Sequence, residues 1–364
     1  MKKLAYITYD FFLDVDYPIV KELDKYYFLN WIIIFKISAT QRFTIEEVVK
    51  YAEKNKIAFE IITTTKRYRS LSYLLKCLNI TIKLKKLKAD IYYFQTFSDP
   101  YLPVFTKLFL KTKKIIVAIH DVLNHLNDNS LFRDLSKKFY TRAFNNFHIY
   151  SENQKDIFLY QYPQKNVMMA RLPLYDFGPA KNNLSKKKIN FLFFGVILYY
   201  KGVDYLIEAA NLLAKEYDNF TVTIAGYAED FSIYRNLIQN DNIFNLIIKV
   251  IPSNEIAEIF VNADYLVQPY RDVTQSGPLK IAYNYNIPVI ASDLPGFNEY
   301  IIHGSTGYLF EPNNYKSLYE VMKNILNQST EESLKIKKNL QEFVARELNL
   351  ESIIDKYLKF FEKL

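Results

Sequence analysis

Four loops in the second half of the chain carry residue types that suit a phosphorylated ligand. Each follows a predicted strand. Glycine lets backbone approach a ligand closely, and a lysine at a helix start can meet phosphate oxygens. Free N–H groups at a helix N-terminus also suit a diphosphate. The residues concerned are Gly195, Lys201, Gly226, Arg271, Thr274, Gln275, Ser276, Gly277 and Glu299.

Each of these signals also has an ordinary structural interpretation. Lys201 before a glycine can be a surface residue, and Gly226 can simply close a tight turn. Thr, Ser and Gly before a helix suit N-capping as well as they suit ligand binding. Glu299 can lie on a helix face or orient a sugar or phosphate, and Arg271 can assist the site or pair with Asp272.

In the first half, His120 and Asp121 end a predicted strand at Ile115–Ile119. Histidine titrates near neutral pH and serves well in catalysis, but a histidine that caps a strand end is often structural. Position alone leaves both interpretations open. The chain contains only four histidines, so the placement of His120 is a candidate catalytic feature.

The sequence predicts no metal centre and no bound cofactor. The single Cys77 forms no cysteine cluster, no pair of histidines has zinc spacing, and H-E-x-x-H is absent. A full G-x-G-x-x-G, a Walker pattern, a nucleophile elbow and a kinase signature are absent too. No nucleic-acid-binding motif accompanies the positive charge.

Short β-branched or aromatic runs alternate with amphipathic stretches, which predicts an α/β protein with parallel sheets. The predicted strands are Leu4–Thr8, Asn30–Lys36, Ala58–Thr63, Asp90–Phe94, Ile115–Ile119, His148–Tyr150, Ile189–Phe194, Thr221–Ala225, Ile247–Val250, Tyr265–Gln268 and Pro288–Ala291, and helical periodicity is predicted from Tyr315 to Leu364. The 364 residues are too many for one ordinary core. We expect two doubly wound Rossmann-like domains facing a central cleft, with ligands at the carboxyl ends of the strands. The predicted divisions are an N-terminal domain at 1–177, a linker at 178–188, a C-terminal domain at 189–345 and a helix at 346–364, which packs back on the N-terminal domain.

Positive charge is concentrated in the first half, where residues 1–180 hold 28 Lys and Arg against 17 Asp and Glu. Basic runs occur at 66–69, 83–88 and 107–114. They favour peripheral contact with an anionic membrane, and a solvated basic face is the alternative. No apolar run reaches the roughly 18 to 20 residues needed to cross a bilayer. The lone Cys77 and the early acidic residues favour a cytoplasmic location.

Taken together, the loops resemble the GT-B glycosyltransferases, in particular the large retaining family numbered four. Phe193-Phe194-Gly195 and Tyr200-Lys201-Gly202 are similar to the family's donor-phosphate loop. The segments Thr274-Gln275-Ser276-Gly277, Pro288–Ser292 and Gly296 to Glu299 continue the series in order over about residues 189–312. In the first half, Phe12–Asp16 and His120–Asp121 are similar to one subgroup.

The resemblance implies a role for each matching residue. Lys201 is expected to hold the diphosphate, and the backbone of Thr274–Gly277 to form the sugar and diphosphate pocket. His120, with Asp121 beside it, is expected at the transferred sugar. The family also implies a metal-independent hexosyltransferase that binds a nucleotide-sugar in its C-terminal domain and a glycan or lipid-linked acceptor in its N-terminal one. The expected process is cell-surface polysaccharide synthesis.

Two departures from the family pattern leave an alternative open. The arginine that many members carry after the loop glycine is Val196 here, and two glutamates of many members align with Val273 and Ile281. A Thr-Gln-Ser-Gly subgroup lacks both glutamates. The alternative is a catalytically impaired binding protein or a partner subunit of another transferase. A nucleotide-sugar epimerase fits less well because it needs acid–base groups near the sugar.

Overall fold

A computed structural model describes residues 1–37, 43–64, 70–122, 131–180 and 188–364. The chain divides into two compact units. The first unit combines Met1–Pro173 with Leu350–Leu364, and the second is Leu174–Asn349. The predicted basic run at 66–69 and residues 181–187 of the predicted linker lie outside the described residues.

Strands and helices alternate in both units. The first unit contains, in chain order, β1 (Lys3–Tyr9), α1 (Leu13–Leu23), β2 (Phe28–Lys36), α2 (Ile45–Lys54), β3 (Ala58–Thr64), α3 (Leu71–Leu87), β4 (Ile91–Phe94), α4 (Tyr101–Phe109), β5 (Ile115–Ile119), α5 (Leu131–Ala143), β6 (Asn146–Ile149), α6 (Glu152–Gln161) and β7 (Asn166–Met169). The second unit contains β8 (Ile189–Phe194), α7 (Val203–Leu213), β9 (Phe220–Ala225), α8 (Ser232–Arg235), β10 (Phe244–Ile247), α9 (Ser253–Val261), β11 (Tyr265–Gln268), α10 (Gly277–Asn284), β12 (Val289–Ser292), α11 (Pro295–Asn298), β13 (Gly307–Phe310), α12 (Tyr315–Leu326) and α13 (Thr330–Glu347). The last helix, α14 (Leu350–Glu362), belongs to the first unit.

Both sheets are parallel throughout their described strands and share one plan. The first has the order β3-β2-β1-β4-β5-β6-β7 and the second β10-β9-β8-β11-β12-β13. In each sheet the chain starts in the middle, builds outward on one side and then crosses to the other. Ligands of such sheets bind where this order reverses, beyond the carboxyl ends of the strands. Those points are the ends of β1 and β4 in the first unit and of β8 and β11 in the second.

Buried apolar runs explain why these segments form central strands. In β8, Phe191, Leu192 and Phe193 are all fully buried. A strand of a parallel sheet is covered by helices on both faces, so it reads as a continuous apolar run and not as an alternating one. The predicted α/β class with two doubly wound Rossmann-like domains is confirmed.

Several element boundaries differ from those predicted. The strand predicted at 247–250 is β10 at Phe244–Ile247, because a short turn at Asp241–Ile243 delivers the chain to β9 three residues earlier. The strand predicted at 148–150 is β6 at Asn146–Ile149. Strands β7 and β13 had no counterpart in the prediction.

The helical periodicity predicted after Tyr315 resolves into α12, α13 and α14. A capping box, in which Ser329 and Glu332 bond each other's backbone, starts α13. Helix α14 packs on α1 and β7 of the first unit, where Tyr357 and Phe361 are buried. The first unit's main segment ends at Pro173, four residues before the predicted boundary, and α14 starts four residues after the predicted one.

Candidate functional site

Glycines bring the first two loops of the second unit into backbone contact at the sheet's reversal point. Gly195 follows β8 with φ +124°, and Gly226 follows β9 with φ +154°. A Cβ atom on Gly226 would lie 1.9 Å from the carbonyl oxygen of Gly195. Both positions therefore need glycine, and the tight-turn interpretation of Gly226 holds together with its place in the site.

Lys201 folds back over this contact. Its ammonium nitrogen lies 3.0 Å from the position that a Cβ on Gly195 would take, and 5.6 Å from the ring centroid of Tyr270. The cation is thus at the end of β8, beside the first residues after β11. Gly202, with φ +62°, lets the loop approach Pro269, whose carbonyl oxygen would lie 1.9 Å from a Cβ there.

Arg271 ties the first loop to the third. Its guanidinium donates to both carboxylate oxygens of Asp204, at 2.5 and 3.1 Å, and to the carbonyl oxygen of Tyr199 at 2.6 Å. The rings of Tyr199 and Tyr205 lie 4.2 and 4.3 Å from its central carbon. The side chain is only 9% exposed. These contacts make Arg271 a positioning residue of both loops, and a direct ligand role stays a prediction.

The third loop ends in a capped helix. The Ser276 side chain accepts from the Leu279 backbone N–H at 3.2 Å and donates to the amide oxygen of Gln268 at 2.8 Å. The capping interpretation of Ser276 is therefore correct. Thr274 is buried just before it, and the N-terminus of α10 starts at Gly277 with its first N–H groups at the end of β11.

Gln275 is the one member of this loop whose amide nitrogen is buried and, within the described structure, has no hydrogen-bond partner. Its amide oxygen is 3.4 Å from the Tyr300 hydroxyl, which donates to it. A buried N–H group without an acceptor costs free energy that a ligand oxygen would recover. Gln275 is consequently a strong candidate to meet a ligand.

Helix α11 places Glu299 next to the third loop. A Cβ on Gly296 would lie 2.7 Å from the carbonyl oxygen of Val273, so the helix start touches the loop directly. Glu299 is half-buried and directly follows α11 as its C-cap residue. The structure therefore gathers the second unit's predicted residues around the ends of β8, β9, β11 and β12.

Sequence reasoning missed Lys280. It is fully buried on α10, and its ammonium nitrogen lies 3.1 Å from the ring centroid of Tyr300. A desolvated cation over an aromatic face is strongly attracted to it. The sequence could have indicated this residue, because it is a lysine inside the otherwise apolar run Pro278–Ala282. In the structure, Leu279–Ala282 are buried and Pro278 is half-buried.

In the first unit, His120 follows β5 and is stacked between two aromatic rings. The ring centroid of Phe12 is 3.9 Å away and that of Tyr150 is 4.4 Å away. Burial lowers the pKa of His120 to about 4, although the charge of Asp121 and a backbone bond with Gln95 oppose this shift. The imidazole is therefore neutral at pH 7. Its Nε2 atom is buried and, among the described residues, has no hydrogen-bond partner.

Asp121 is held through its backbone. Its carbonyl oxygen accepts from the ammonium of Lys137 on α5 at 2.5 Å. Its carboxylate charge favours the protonated form of His120. The predicted catalytic role of Asp121 stays a prediction.

A buried polar network supports His120. The Tyr150 hydroxyl donates to the amide oxygen of Gln95 at 2.9 Å, and the Tyr93 hydroxyl lies 2.6 Å from Nδ1 of His148. His148 Nε2 lies 2.9 Å from the Ala170 carbonyl oxygen, and burial lowers the His148 pKa to about 3. This network fixes Tyr150, on which the His120 ring stacks.

A buried carboxyl group lies beside β1 in the first unit. Asp16 on α1 accepts a bond from the Tyr6 hydroxyl at 2.7 Å and another from Thr8. Burial raises the pKa of Asp16 to about 8. Asp16 therefore belongs to the interior of the first unit, which the sequence did not indicate.

Within the described ranges, no group of three or more His, Cys, Asp or Glu residues is arranged to hold a metal ion. In the same ranges, no helix is both long and apolar enough to cross a membrane.

The comparisons with known proteins agree with this geometry. Residues 176–343, slightly less than half of the chain, match the family model of the glycosyl transferases group 1. The chain has the GT-B fold, and its match to the group 1 glycosyl transferases lies within its second unit. The Anabaena protein Alr3699/HepE, crystallised in complex with UDP and glucose, superposes with a TM-score of 0.71 and 15% identity over 100% of both chains. That likeness shows the GT-B fold.

Two curated relatives match over shorter stretches. An uncharacterized glycosyltransferase of Haemophilus influenzae is 24% identical over 203 residues, which are 55% of this chain and 56% of the relative. An exopolysaccharide phosphotransferase of Streptomyces coelicolor is 29% identical over 129 residues, which are 35% of this chain and 14% of that protein. The matches thus span about half or less of the length of these relatives.

Proposed function

We propose that this GT-B protein is a retaining glycosyltransferase that moves a hexose from a nucleotide-sugar to a glycan or lipid-linked acceptor. The observation that carries the proposal is the convergence of Lys201, Gln275 and the α10 N-terminus at the reversal point of the second sheet. The group 1 match lies in this unit, and HepE, whose structure has the same fold, was crystallised in complex with UDP.

In the proposed reaction, an acceptor hydroxyl oxygen bonds to the anomeric carbon of the sugar while the bond between the sugar and the diphosphate breaks. Negative charge builds on the leaving diphosphate, which takes up the proton of the acceptor hydroxyl. The ammonium of Lys201 and the free N–H groups at the start of α10 stabilise that charge. Fixed donors aimed at a developing charge lower the barrier more than flexible ones, because they need no reorganisation. These groups replace a divalent metal in the proposal.

Two buried polar atoms, one in each unit, are assigned to substrate hydroxyl groups. The Gln275 amide nitrogen of the second unit donates to a hydroxyl of the donor sugar, and Nε2 of His120 in the first unit forms a hydrogen bond with a substrate hydroxyl. Because the His120 imidazole is neutral at pH 7, it contributes a hydrogen bond and no charge. Asp121 orients the imidazole through its nearby carboxylate.

The proposed process is cell-surface polysaccharide synthesis at the inner face of the membrane, with the protein in the cytoplasm. The Streptomyces coelicolor relative, whose name refers to exopolysaccharide, supports the process. A lipid-linked acceptor would also be consistent with the basic runs near 83–88 and 107–114.

A specific observation favours the alternative of a binding protein or partner subunit. Val273 and Ile281, which align with the two glutamates of many family members, are buried apolar side chains. Val196 is 46% exposed in the loop where many members carry an arginine. Arginine would offer bidentate contacts to phosphate that a lysine does not reproduce.

The two functions are separated by incubating the full chain with UDP-, GDP-, ADP- and CMP-linked sugars and measuring released nucleotide. If the protein is a glycosyltransferase, nucleotide is released from donors of one base, EDTA does not diminish the release, and NMR shows that the product retains the anomeric configuration.

His120→Ala should depress turnover far more than donor affinity. Donor binding without release or transfer would support the binding protein, and loss of release in EDTA would contradict metal independence.

A further inference from the structure

Helices α3, α4 and α5 form one layer on a single face of the first sheet. Right-handed crossovers place the helices that follow β3, β4 and β5 on the same side. Their inward side chains share one core cluster with strand residues such as Ile7 and Val117. The cluster takes Tyr73, Cys77, Ile80 and Leu84 from α3, Leu102 from α4, and Tyr140 and Phe144 from α5. The opposite sides of the three helices point away from the sheet.

The outward side of α3 is apolar. Leu71, Leu75 and Ile82 are spaced by four and seven residues, so they share one face of the helix. Leu71 is 73% exposed and Leu75 is 51% exposed. The buried residues Tyr73 and Cys77 lie on the other side. A surface helix ordinarily places polar residues where α3 places these leucines.

Helices α4 and α5 repeat this pattern. Val104 and Leu108 are exposed four residues apart on α4, and Leu135 and Phe139 are exposed four residues apart on α5. Leu108 is 70% exposed. We call these seven side chains the apolar face: Leu71, Leu75, Ile82, Val104, Leu108, Leu135 and Phe139.

Lysines accompany the apolar face, and carboxylates are nearly absent from it. Helices α3 and α4 contain no Asp or Glu, and α5 contains only Asp134. The ammonium of Lys85 lies 5.8 Å from the ring of Phe109, which joins the two helices across the face. The lysines on or next to α3 and α4 are Lys76, Lys83, Lys85, Lys86, Lys88, Lys107, Lys111 and Lys113, of which Lys83 forms an ion pair with Glu60 of β3.

We propose that the apolar face docks on an anionic lipid membrane. Leu75, Ile82 and Leu108 would enter the boundary between headgroups and acyl chains, and the lysines beside them would meet lipid phosphates. Apolar insertion and electrostatic attraction together are what holds amphipathic surfaces on membranes. A second copy of this chain is a poorer occupant, because its own lysines would meet like charges with few carboxylates to offset them.

This docking is independent of the proposed sugar chemistry. None of the seven residues belongs to the candidate site, and the face lies on the first unit alone. The contact is peripheral in the proposal, with helices lying along the surface. Because exposed charges are screened by salt, attachment weakens as ionic strength rises.

Flotation of the full chain with vesicles tests the proposal. The probes are phosphatidylcholine vesicles with and without phosphatidylglycerol, at low and high salt. We expect binding only to the anionic vesicles, weakened by salt. The variant L75Q/L108Q should lower the partition coefficient about tenfold or more, because two apolar side chains lose their transfer into the bilayer.

The matched control is I233Q/L334Q, which changes two similarly exposed apolar residues of the second unit, each 62% exposed. It should bind vesicles like the original chain, and both variants should keep the original melting temperature. Failure of the original chain to bind anionic vesicles would overturn the proposal. So would equal loss in both variants. If L75Q/L108Q differs from the original chain in oligomeric state when no vesicles are present, the apolar face would instead be assigned to self-association.

Discussion

At the scale of single residues, Gln275 and His120 are the predicted site residues that each contain a buried polar atom without a hydrogen-bond partner among the described residues. Gln275 presents its amide nitrogen and His120 presents Nε2, and neither atom has a partner among the described residues. Gly195, Lys201 and His120 could be selected from sequence because each follows a predicted strand, and a parallel sheet binds its ligands beyond the carboxyl ends of its strands. The roles of Gln275 and Lys280 could not, because they depend on which atom is buried and which ring lies 3.1 Å away.

The buried histidines make stability depend on acid pH. The pKa is lowered to about 4 for His120 and about 3 for His148, while the ordinary value is near 6.5. Between pH 6.5 and 4 these two imidazoles therefore bind more protons in the unfolded chain than in the folded chain, and they outnumber the buried Asp16 carboxyl group, whose raised pKa has the opposite effect. We predict that the free energy of unfolding falls as pH drops through this window. Each unit of pKa difference is worth about 1.4 kcal/mol.

Urea unfolding from pH 7 to 4.5 measures this effect. The variant His148→Gln should have a shallower pH slope than the original chain, since it removes one titrating group. His303→Gln is the matched control because His303 belongs to the second unit's surface, and its slope should equal the original. An unchanged slope in His148→Gln would contradict the neutral, buried state of this imidazole.

At the scale of elements, the site depends on backbone contacts between loop glycines. A Cβ on Gly226 would lie 1.9 Å from the Gly195 carbonyl oxygen, whereas a Cβ on Gly304 would meet nothing within 4 Å. Both glycines have positive φ, at +154° and +71°. An alanine at Gly304 would therefore carry the conformational cost of a positive φ without a steric clash. The same packing explains why Gly202 and Gly296 sit where loops cross.

We predict that Gly226→Ala lowers the free energy of unfolding by about 3 kcal/mol or more, because backbone must move to admit the methyl group. Gly304→Ala should cost only about 1 kcal/mol, the penalty of a left-handed conformation. Chemical denaturation of the two variants compares them directly. Equal losses would show that β8 and β9 do not end in the close contact described.

The last helix offers a second prediction at this scale. Phe361 on α14 is fully buried in the first unit, with the ring of Tyr27 at 5.8 Å. Phe361→Ala should cost about 3 to 5 kcal/mol of unfolding free energy through the cavity it leaves. Leu334→Ala on the exposed side of α13 is the control and should cost less than about 0.5 kcal/mol. A small effect at Phe361 would mean that α14 is not docked on the first unit.

Three of the strands that sequence reasoning missed or misplaced share one physical cause, which does not extend to the shifted strand β6 inside the first sheet. Strands β7, β10 and β13 are all at the edge of a sheet. An edge strand is covered less completely than a central one, so its apolar run is short; β10, for instance, is mostly half-buried. The central strands β5, β8 and β11 were predicted to the residue because burial on both faces leaves an uninterrupted apolar segment.

At the scale of the whole molecule, charge and chemistry are assigned to different units. The formal net charge of +8 comes from an excess of basic residues in the first half. The second unit carries the group 1 match and the loops at the end of β8 and β11. In our account the first unit meets the membrane and acceptor, and the second unit holds the donor.

The most direct test of this account is calorimetric titration of the full chain with UDP, GDP, ADP and CMP and their sugar conjugates. We predict selective binding of one base. Lys201→Ala should weaken that binding about tenfold or more, as loss of a charged phosphate contact of about 1.5 to 3 kcal/mol implies, without lowering the melting temperature. Lys215→Ala, which removes a lysine distant from the loops in sequence, should bind like the original chain. Binding by the original chain that is unchanged in Lys201→Ala, or no binding of any nucleotide, would contradict the central claim.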